Sequence, residues 1–473
     1  MKWHLNQIAK WTKALVASAH HKEFSEIGTD TRKDLSGQIF IALKGEAFDA
    51  HDYLDQAVQK GASGLIVHTL PEKFQNLKGQ VSILLVDDTL KALQDFAHGY
   101  RKTLSTKIIG ITGSNGKTTT KEFTAQILGQ YKKIHYNEGS FNNHWGVPIT
   151  LLGIPQEAEF AVVEMGMNHA GEITELVKIA EPDIVVCTMV GTAHLEFFGT
   201  QANIAKAKSE IYMEAKPETI RIFNQDQDLT FDMMYPVAKK FPAARMLSFS
   251  EKNTEADVFF KISELNMKEI KITGIIAAEP GAAIIPIFGK QNLTNLMAAS
   301  SIAYACRLTP EQIWKALPSC KTSWGRNQFI ETHTGAEILF DGYNANPDSL
   351  RALLENIPLL KCPGKKIGVF GQLKELGVHS KLAHKEMASL AARAGFSQIY
   401  FIGEDFEAFK AGIASADFSS NFKGEYFIQA GFDSALGEKL GRSVNTGDIV
   451  VIKGSRGAGT ERFIPFCQPI NWP

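Results

Sequence analysis

Residues 107–128 read KIIGITGSNGKTTTKEFTAQIL, and their order is apolar run, glycine turn, lysine, hydroxyls, helix-forming stretch. KIIGIT is short and apolar, as a buried strand requires, and TTTKEFTAQIL suits the helix that follows. Between them Gly113 and Gly116 bracket Ser114 and Asn115. Such a turn points backbone N–H groups inward, and the positive end of the next helix favours an anion, so the stretch predicts a phosphate cradle. Lys117 stands where a cation reaches terminal phosphates, and Thr118, followed by Thr119, offers a hydroxyl to Mg²⁺. The usual pattern opens on a glycine five residues before the Gly-Lys pair, and Ile111 stands there instead. A plain glycine turn with a solvated lysine would need only some of these features. Strand, spacing, lysine and hydroxyl together favour the cradle.

A chain of 473 residues exceeds one hydrophobic core, so several domains are expected. A net charge of −1 leaves no basic excess for nucleic acid, and no nucleic-acid partner is expected. The five cysteines show neither metal-ligand nor redox spacing and read as thiols of a reducing compartment, the cytoplasm. No apolar run reaches the roughly eighteen residues of a membrane span. At the start, MKWHLNQIAKWTKALVASAH is interrupted by Lys10 and Lys13, while Leu5, Ile8, Trp11 and Leu15 keep a helical period. An amphipathic helix of the mature protein is expected there, not a leader.

Around the cradle, strands and helices alternate throughout, which predicts an α/β chain of three domains. Residues 1–104 carry GQIFIAL, SGLIVH and SILLVD between helical stretches, a small α/β unit. Residues 105–318 hold the phosphate loop, the strands FAVVEMG, DIVVCTMV and TIRIFN, and a more β-rich stretch from 257 to 289. Residues 319–473 repeat the alternation with AEILFD, KIGVFG, IYFIG and IVVIKG, a Rossmann-like, largely parallel sheet.

Further motifs stand along the chain in a fixed order: TDTRKDLSGQIFIALKGEAFDAH, GITGSNGKTTTKE, NEGSFNNHWGVPIT, VVEMGMNHAGEI, GTAHLEFFG, AKAKSEIY, GKQNLTNLMAA, DGYNANPDSL and IKGSRGAGTERF. In that order they resemble the Mur ligases over nearly the whole chain, and YNANP resembles the branch that adds a dipeptide. The resemblance implies an ATP-dependent amide ligase with Mg²⁺, two ions in all. Its implied substrates are a UDP-N-acetylmuramoyl-tripeptide and D-Ala-D-Ala, and its expected state is a monomer. Two rivals are a ligase of the same superfamily adding a single amino acid or glutamate, and an ATP-driven switch that binds partners.

The resemblance assigns residues one by one. Gly113, Ser114, Asn115, Gly116, Lys117, Thr118 and Thr119 take the phosphates. Glu164 ends a strand and His194 follows another; with Thr118 they are implied to serve Mg²⁺, though alone they read as a strand-end carboxylate and a structural histidine. Lys208 reads alone as part of a solvated lysine face with Lys206, whereas the resemblance aligns it with a lysine carbamylated in related ligases, an oxygen donor for a second Mg²⁺. Lys117, Lys208 and His194 are thus the implied catalytic residues. Asn292 and Asn295 lie one helical turn apart, with amides suited to a purine edge. Arg326 and Asp341 match positions around ribose and phosphates. Thr29, Asp30, Thr31, Arg32, Lys44, Asp49 and His51 resemble the uridine diphosphate site, with cations for the diphosphate. Asn142 and Asn143 are implied to position the peptide end, and Asn344 marks the dipeptide-adding branch. GVFGQLKELG departs from the family with Gln372 where Asp is usual, and GSRGAGTERF replaces a more hydrophobic ending.

Overall fold

The computed structural model describes residues 3–45, 48–137, 139–420 and 424–472; Glu46 and Ala47 of the KGEAFDAH stretch lie outside them. Backbone contacts divide the chain into two compact units. One comprises residues 1–110, 132–183 and 214–216, the other 111–131, 184–213 and 217–473.

The first unit holds a five-stranded sheet in the order Leu15–Ser18, Ser82–Leu85, Gly64–Val67, Ile39–Ile41, Ile27–Gly28. Its first pair is antiparallel and the others are parallel. Phe40, Leu54, Leu65 and Ile83 are fully buried in its core. Further along the same unit, Phe160–Glu164 pairs in parallel with Ile134–Tyr136. The N-terminal helix is shorter than its sequence period suggests. It covers Leu5–Thr12 and closes at Lys13, whose left-handed backbone (φ 57°) returns its N–H to the carbonyl of Ala9. Leu15 therefore opens an edge strand and is 68% exposed, not the next rung of an apolar helix face.

The strand Lys107–Thr112 is one of nine in the largest sheet, and its last two residues begin the second unit. Helix Lys117–Leu128 follows at once, as the sequence predicts. In the second unit Ile184–Cys187, Ile220–Asn224, Met246–Ser250 and Val258–Leu265 pair in parallel succession. The β-rich stretch then turns antiparallel through Ile270–Ile276 and Glu279–Ile285. Parallel strands of this kind are buried on both faces, which explains the unbroken apolar run IVVC.

The last sheet has six strands in the order Gln328–Glu331, Glu337–Asp341, Ile449–Lys453, Lys366–Gly371, Gln398–Ile402, Glu425–Gln429. Only its first pair is antiparallel. Alternation along Glu337–Asp341 sends Leu339 into one core with Leu353, Met387 and Phe409. Ile338 and Phe340 enter a second core with Leu436, Leu440 and Phe463. Helices thus cover both faces, and every parallel strand delivers its C-terminal end to one edge, where ligands bind in such sheets.

Behind the phosphate loop, Tyr212 ties two of these strands together. Its hydroxyl accepts from the N–H of Cys187 at 2.7 Å and donates to the carbonyl of Ile222 at 2.6 Å. Tyr212→Phe leaves both backbone groups buried without that partner, and urea unfolding should show a loss of about 2 kcal/mol.

Candidate nucleotide and ligation site

The phosphate loop is held open by two residues that no side chain could replace. Gly113 (φ 146°) and Gly116 (φ 82°) adopt backbone conformations that L side chains rarely reach. A Cβ on Gly113 would strike the Thr188 hydroxyl, and one on Gly116 would strike Asn295 Oδ1. Thr188 Oγ1 donates to the Asn115 carbonyl at 2.6 Å, and Ser114 N–H donates to the Met189 carbonyl at 2.8 Å. The loop is therefore stitched to the segment that follows strand Ile184–Cys187. Lys117 Nζ folds back to the Gly113 carbonyl at 2.8 Å, across the turn it would share with a phosphate. Ser114 Oγ is buried and has no hydrogen-bond partner among the described residues.

Asn292 and Asn295 stand under this loop. Asn295 Oδ1 accepts from Thr120 Oγ1 at 3.3 Å and its amide donates to Asn292 Oδ1 at 3.1 Å, while the Asn292 amide donates to the Phe288 carbonyl at 2.7 Å. Both are buried. The expectation of two amides turned toward a purine is therefore not what this structure shows. It shows a polar brace between helix Gln291–Ala305 and the phosphate-loop helix.

Lys208 is the largest departure from a solvated helix face. On helix Gln201–Met213, Lys206 is exposed while Lys208 is only 1% exposed. Burial, followed by the nearby positive charge of Lys117, pulls its pKa down from 10.5 to about 7; the Cys187 thiol opposes this weakly. Cys187 itself is pushed up to about 11 by burial. Among the described residues Lys208 Nζ has no hydrogen-bond or ion-pair partner. Burial and the Lys117 charge both favour the uncharged amine, which is the nucleophilic form.

His194 follows the same strand, in a left-handed conformation (φ 66°) that caps a four-residue helix, Leu195–Phe198. Its Nδ1 lies 3.7 Å from Glu375 Oε2. In the first unit Glu164 is buried at the end of its strand, and Oε1 accepts from the Asn142 amide at 2.8 Å. Asn143 caps the next helix, accepting from the Gly146 N–H at 2.9 Å. Among the described residues no three His, Cys, Asp or Glu side chains stand together as a metal centre. Mg²⁺ is compatible with so sparse a set, because it keeps several waters and binds through one or two carboxylates plus substrate phosphates.

The stretch of the first unit that carries residues 29–32, 44, 49 and 51 is internally paired. Arg32 grips Asp30 with two bonds, Nε to Oδ1 at 2.9 Å and Nη2 to Oδ2 at 2.8 Å, although its side chain is 88% exposed. That grip holds the Asp30 carboxyl at about 2. Thr31 reaches Gln56 at 3.5 Å, and Lys44 lies 3.8 Å from Asp49; Thr29 is half-buried beside them. His51 corrects the expected set of cations. Its Nδ1 meets Asp49 at 2.6 Å, and its Nε2 accepts the His68 N–H at 3.1 Å. Burial lowers its pKa, so both ring nitrogens are engaged by a neutral imidazole.

In the turn that precedes the last sheet, Arg326 Nη2 donates to Thr118 Oγ1 at 3.0 Å and its guanidinium stacks over Tyr343 at 4.5 Å. Thr118 therefore already accepts a charged donor at the oxygen expected to face Mg²⁺. Asp341 accepts the Asn327 N–H at 3.1 Å and pairs with the buried Lys453 at 2.5 Å. Asn344 turns its side-chain oxygen back to the Ala345 N–H at 2.9 Å. Gln372 bridges both ways to Asp405, donating to Oδ2 at 2.7 Å and accepting its N–H at 3.1 Å. The sequence reading missed Asn346 and Asp348. Asn346 donates to Asn115 Oδ1 at 2.7 Å, and Asp348 accepts from Thr192. The available signal was the Asn-Pro-x-Ser start of helix Pro347–Asn356, which is a capping box.

Two family descriptions match the chain: the Mur ligase middle domain over residues 111–303 and the Mur ligase, glutamate ligase domain over 325–456. The UDP-N-acetylmuramoyl-tripeptide–D-alanyl-D-alanine ligase of Bacillus subtilis is 33% identical over 97% of each chain. Among solved structures, MurF from Acinetobacter baumannii is similar with a TM-score of 0.86 at 29% identity, covering 98% of each chain. MurF ligase from Thermotoga maritima, in complex with ADP, is similar at 0.79 and 27% identity, covering 94% of this chain and 97% of that one.

Gly113→Ala tests the loop geometry directly. The added methyl must displace Thr188 and strain the turn, so calorimetry should show ATP affinity falling at least tenfold, about 1.4 kcal/mol, with the fold retained by circular dichroism.

Proposed function

The chain belongs to the Mur ligase family, and from that premise we propose that it joins D-alanyl-D-alanine to UDP-N-acetylmuramoyl-tripeptide at the expense of ATP, in peptidoglycan precursor synthesis. Relatives of that name match it from end to end. The observation that carries the chemistry is the burial of Lys208 within the field of Lys117, which favours its uncharged amine. A partner-binding switch has no use for so costly a group. The proposal includes three domains, 1–104, 105–318 and 319–473, for the UDP substrate, ATP and a closing Rossmann-like unit. It also includes a monomer working in the cytoplasm, in keeping with five free cysteines; among the described residues no helix is long and apolar enough to cross a membrane.

A carboxylate and an amine do not condense at neutral pH without activation. In the proposed reaction the tripeptide carboxylate attacks the γ-phosphoryl group, giving an acyl phosphate and ADP. The dipeptide amine, arriving uncharged, then attacks the acyl carbon and phosphate leaves. Catalysis here is positioning plus charge. The N–H groups of residues 113–119 cradle the phosphates. Lys117 exchanges its Gly113 carbonyl for a phosphate oxygen, and Arg326 adds a second cation at the first helical turn. Mg²⁺, when bound, supplies charge neutralisation at the phosphate oxygens. Thr118, Glu164, His194 and a carbamylated Lys208 are the residues proposed to hold it. Asn292, Asn295 and Asp341 shape the nucleotide pocket around the loop. Thr29, Asp30, Thr31, Arg32, Lys44 and Asp49 take the UDP moiety, with His51 holding the Asp49 loop. Asn142, Asn143 and Asn344 serve the peptide end and the dipeptide.

The direct test is phosphate release from ATP. Release should stay near background until both UDP-muramoyl-tripeptide and D-Ala-D-Ala are present, and free D-Ala should not replace the dipeptide. Steady hydrolysis without either acceptor would sink the ligase reading.

Lys208→Ala should lose most activity, and added formate or acetate should restore part of it, since a small carboxylate can enter the space of the carbamate. Lys117→Ala, which loses a cation, should fall by more than about tenfold in kcat, over ~1.4 kcal/mol, and gain nothing from either anion. The sign with pH follows from the depressed pKa. The uncharged amine needed for carbamylation dominates above about 7 and is lost as pH falls below it. A fully active Lys208→Ala would return that residue to a packing role.

A further inference from the structure

The segment after strand Ile184–Cys187 is pinned at every second residue. The carbonyl of Thr188 accepts from the Asn224 amide at 2.8 Å. Gln227 clasps Val190 from both sides, accepting its N–H at 2.7 Å and donating to its carbonyl at 2.6 Å. The third anchor comes from elsewhere in the chain. Asp348 Oδ2 accepts the Thr192 N–H at 2.5 Å and the Thr192 hydroxyl at 2.8 Å. His194 lies two residues further on. Gly191 shows how close the approach is, because a Cβ there would run into the Asp348 carboxylate.

Asp348 sits in the first turn of helix Pro347–Asn356, whose cap is Asn346. The cap has two separate duties. Its side-chain oxygen accepts from Ser349 N–H at 2.9 Å, while its amide donates to Asn115 Oδ1 at 2.7 Å, inside the phosphate loop. One helix start thus holds the phosphate loop with one residue and the His194 segment with another.

We propose that Asp348 and Asn346 are positioning residues that fix the Thr192–His194 segment and the phosphate loop in register for nucleotide and Mg²⁺. Asp348 is more than a dipole-matched acid, since an acid serving only its own helix would not reach Thr192. The carboxylate spends one oxygen on two donors of another segment, as charge-assisted bonds that fix geometry do. Asn346 likewise exceeds its capping role, which Ser or Asp fills equally well.

The variants separate these duties. Asp348→Ala removes the anchor; Asp348→Asn keeps an oxygen that can accept both Thr192 donors; Asn346→Ser keeps the cap and drops the bond to Asn115. Three measurements on the full chain read them: hydrogen exchange over residues 189–199, MgADP affinity by calorimetry, and ligase kinetics. In Asp348→Ala, exchange at 190–194 should rise by about tenfold or more, and MgADP affinity should fall at least fivefold. Kcat should fall with the KM for UDP-muramoyl-tripeptide unchanged. Asn346→Ser should lose MgADP affinity comparably with its melting temperature held. Asp348→Asn should stay within about threefold of the parent on every readout. Unchanged exchange, or MgADP affinity within about twofold in Asp348→Ala, overturns the proposal, as does an Asp348→Asn as impaired as the alanine. Should Asp348→Ala fail to fold, Asn346→Ser decides by the same affinity limit. The kinetic arm rests on the ligase reading. A parent protein that binds MgADP but makes no amide counts against that reading, while the exchange and affinity arms still judge this one.

Discussion

Two glycines with positive φ determine where every other group at this site can stand. Gly113 and Gly116 leave no room for a Cβ against Thr188 and Asn295, so backbone and polar side chains meet at van der Waals contact around the turn. That closeness fixes where the loop's N–H groups point. It also consumes the neighbours: Thr188 serves Asn115, and Asn295 serves Thr120 and Asn292. A phosphate cradle with unbraced walls would have to reorganise on binding, and that cost would come out of transition-state stabilisation.

Charge placement follows from the same crowding. Burial first, and then the positive charge of Lys117, disfavour the proton on Lys208. Burial alone would be an expensive way to store an amine. It becomes productive if the neutral form reacts with CO₂, because the product is an anion beside a cation rather than a second cation. Arg326 adds a further cation from the turn before the last sheet, donating to the first turn of the phosphate-loop helix.

Sequence made the loop legible because strand, glycines, lysine and hydroxyl are all local, and the strand Lys107–Thr112 falls where KIIGIT predicts. It could not show that Lys206 and Lys208, two positions apart on one helix, lie on opposite sides of a burial boundary; that depends on which strands the helix covers. The Asn292–Asn295 spacing was readable, but not that helix Lys117–Leu128 would supply their partners. Leu15 kept a helical period by composition alone, and only the left-handed Lys13 reveals that the helix had ended. Asn346 and Asp348 were hidden for a different reason. Their local signature is complete as a capping box, so nothing in the letters asks for partners some 230 and 156 residues away.

The stretch of the first unit that carries residues 29–32, 44, 49 and 51 shows how little a formal charge count says about a site. Arg32 and Asp30 cancel each other through a bidentate pair, yet the guanidinium is almost wholly exposed. The guanidinium stays in solvent, so the pair itself adds little stability. His51 is the opposite case. Its two nitrogens are committed to Asp49 and to the His68 backbone, and releasing either would leave a buried polar group unpaired. The exposed positive charge on this stretch comes from Arg32, Lys33 and Lys44. The imidazole contributes the shape of the loop that presents them.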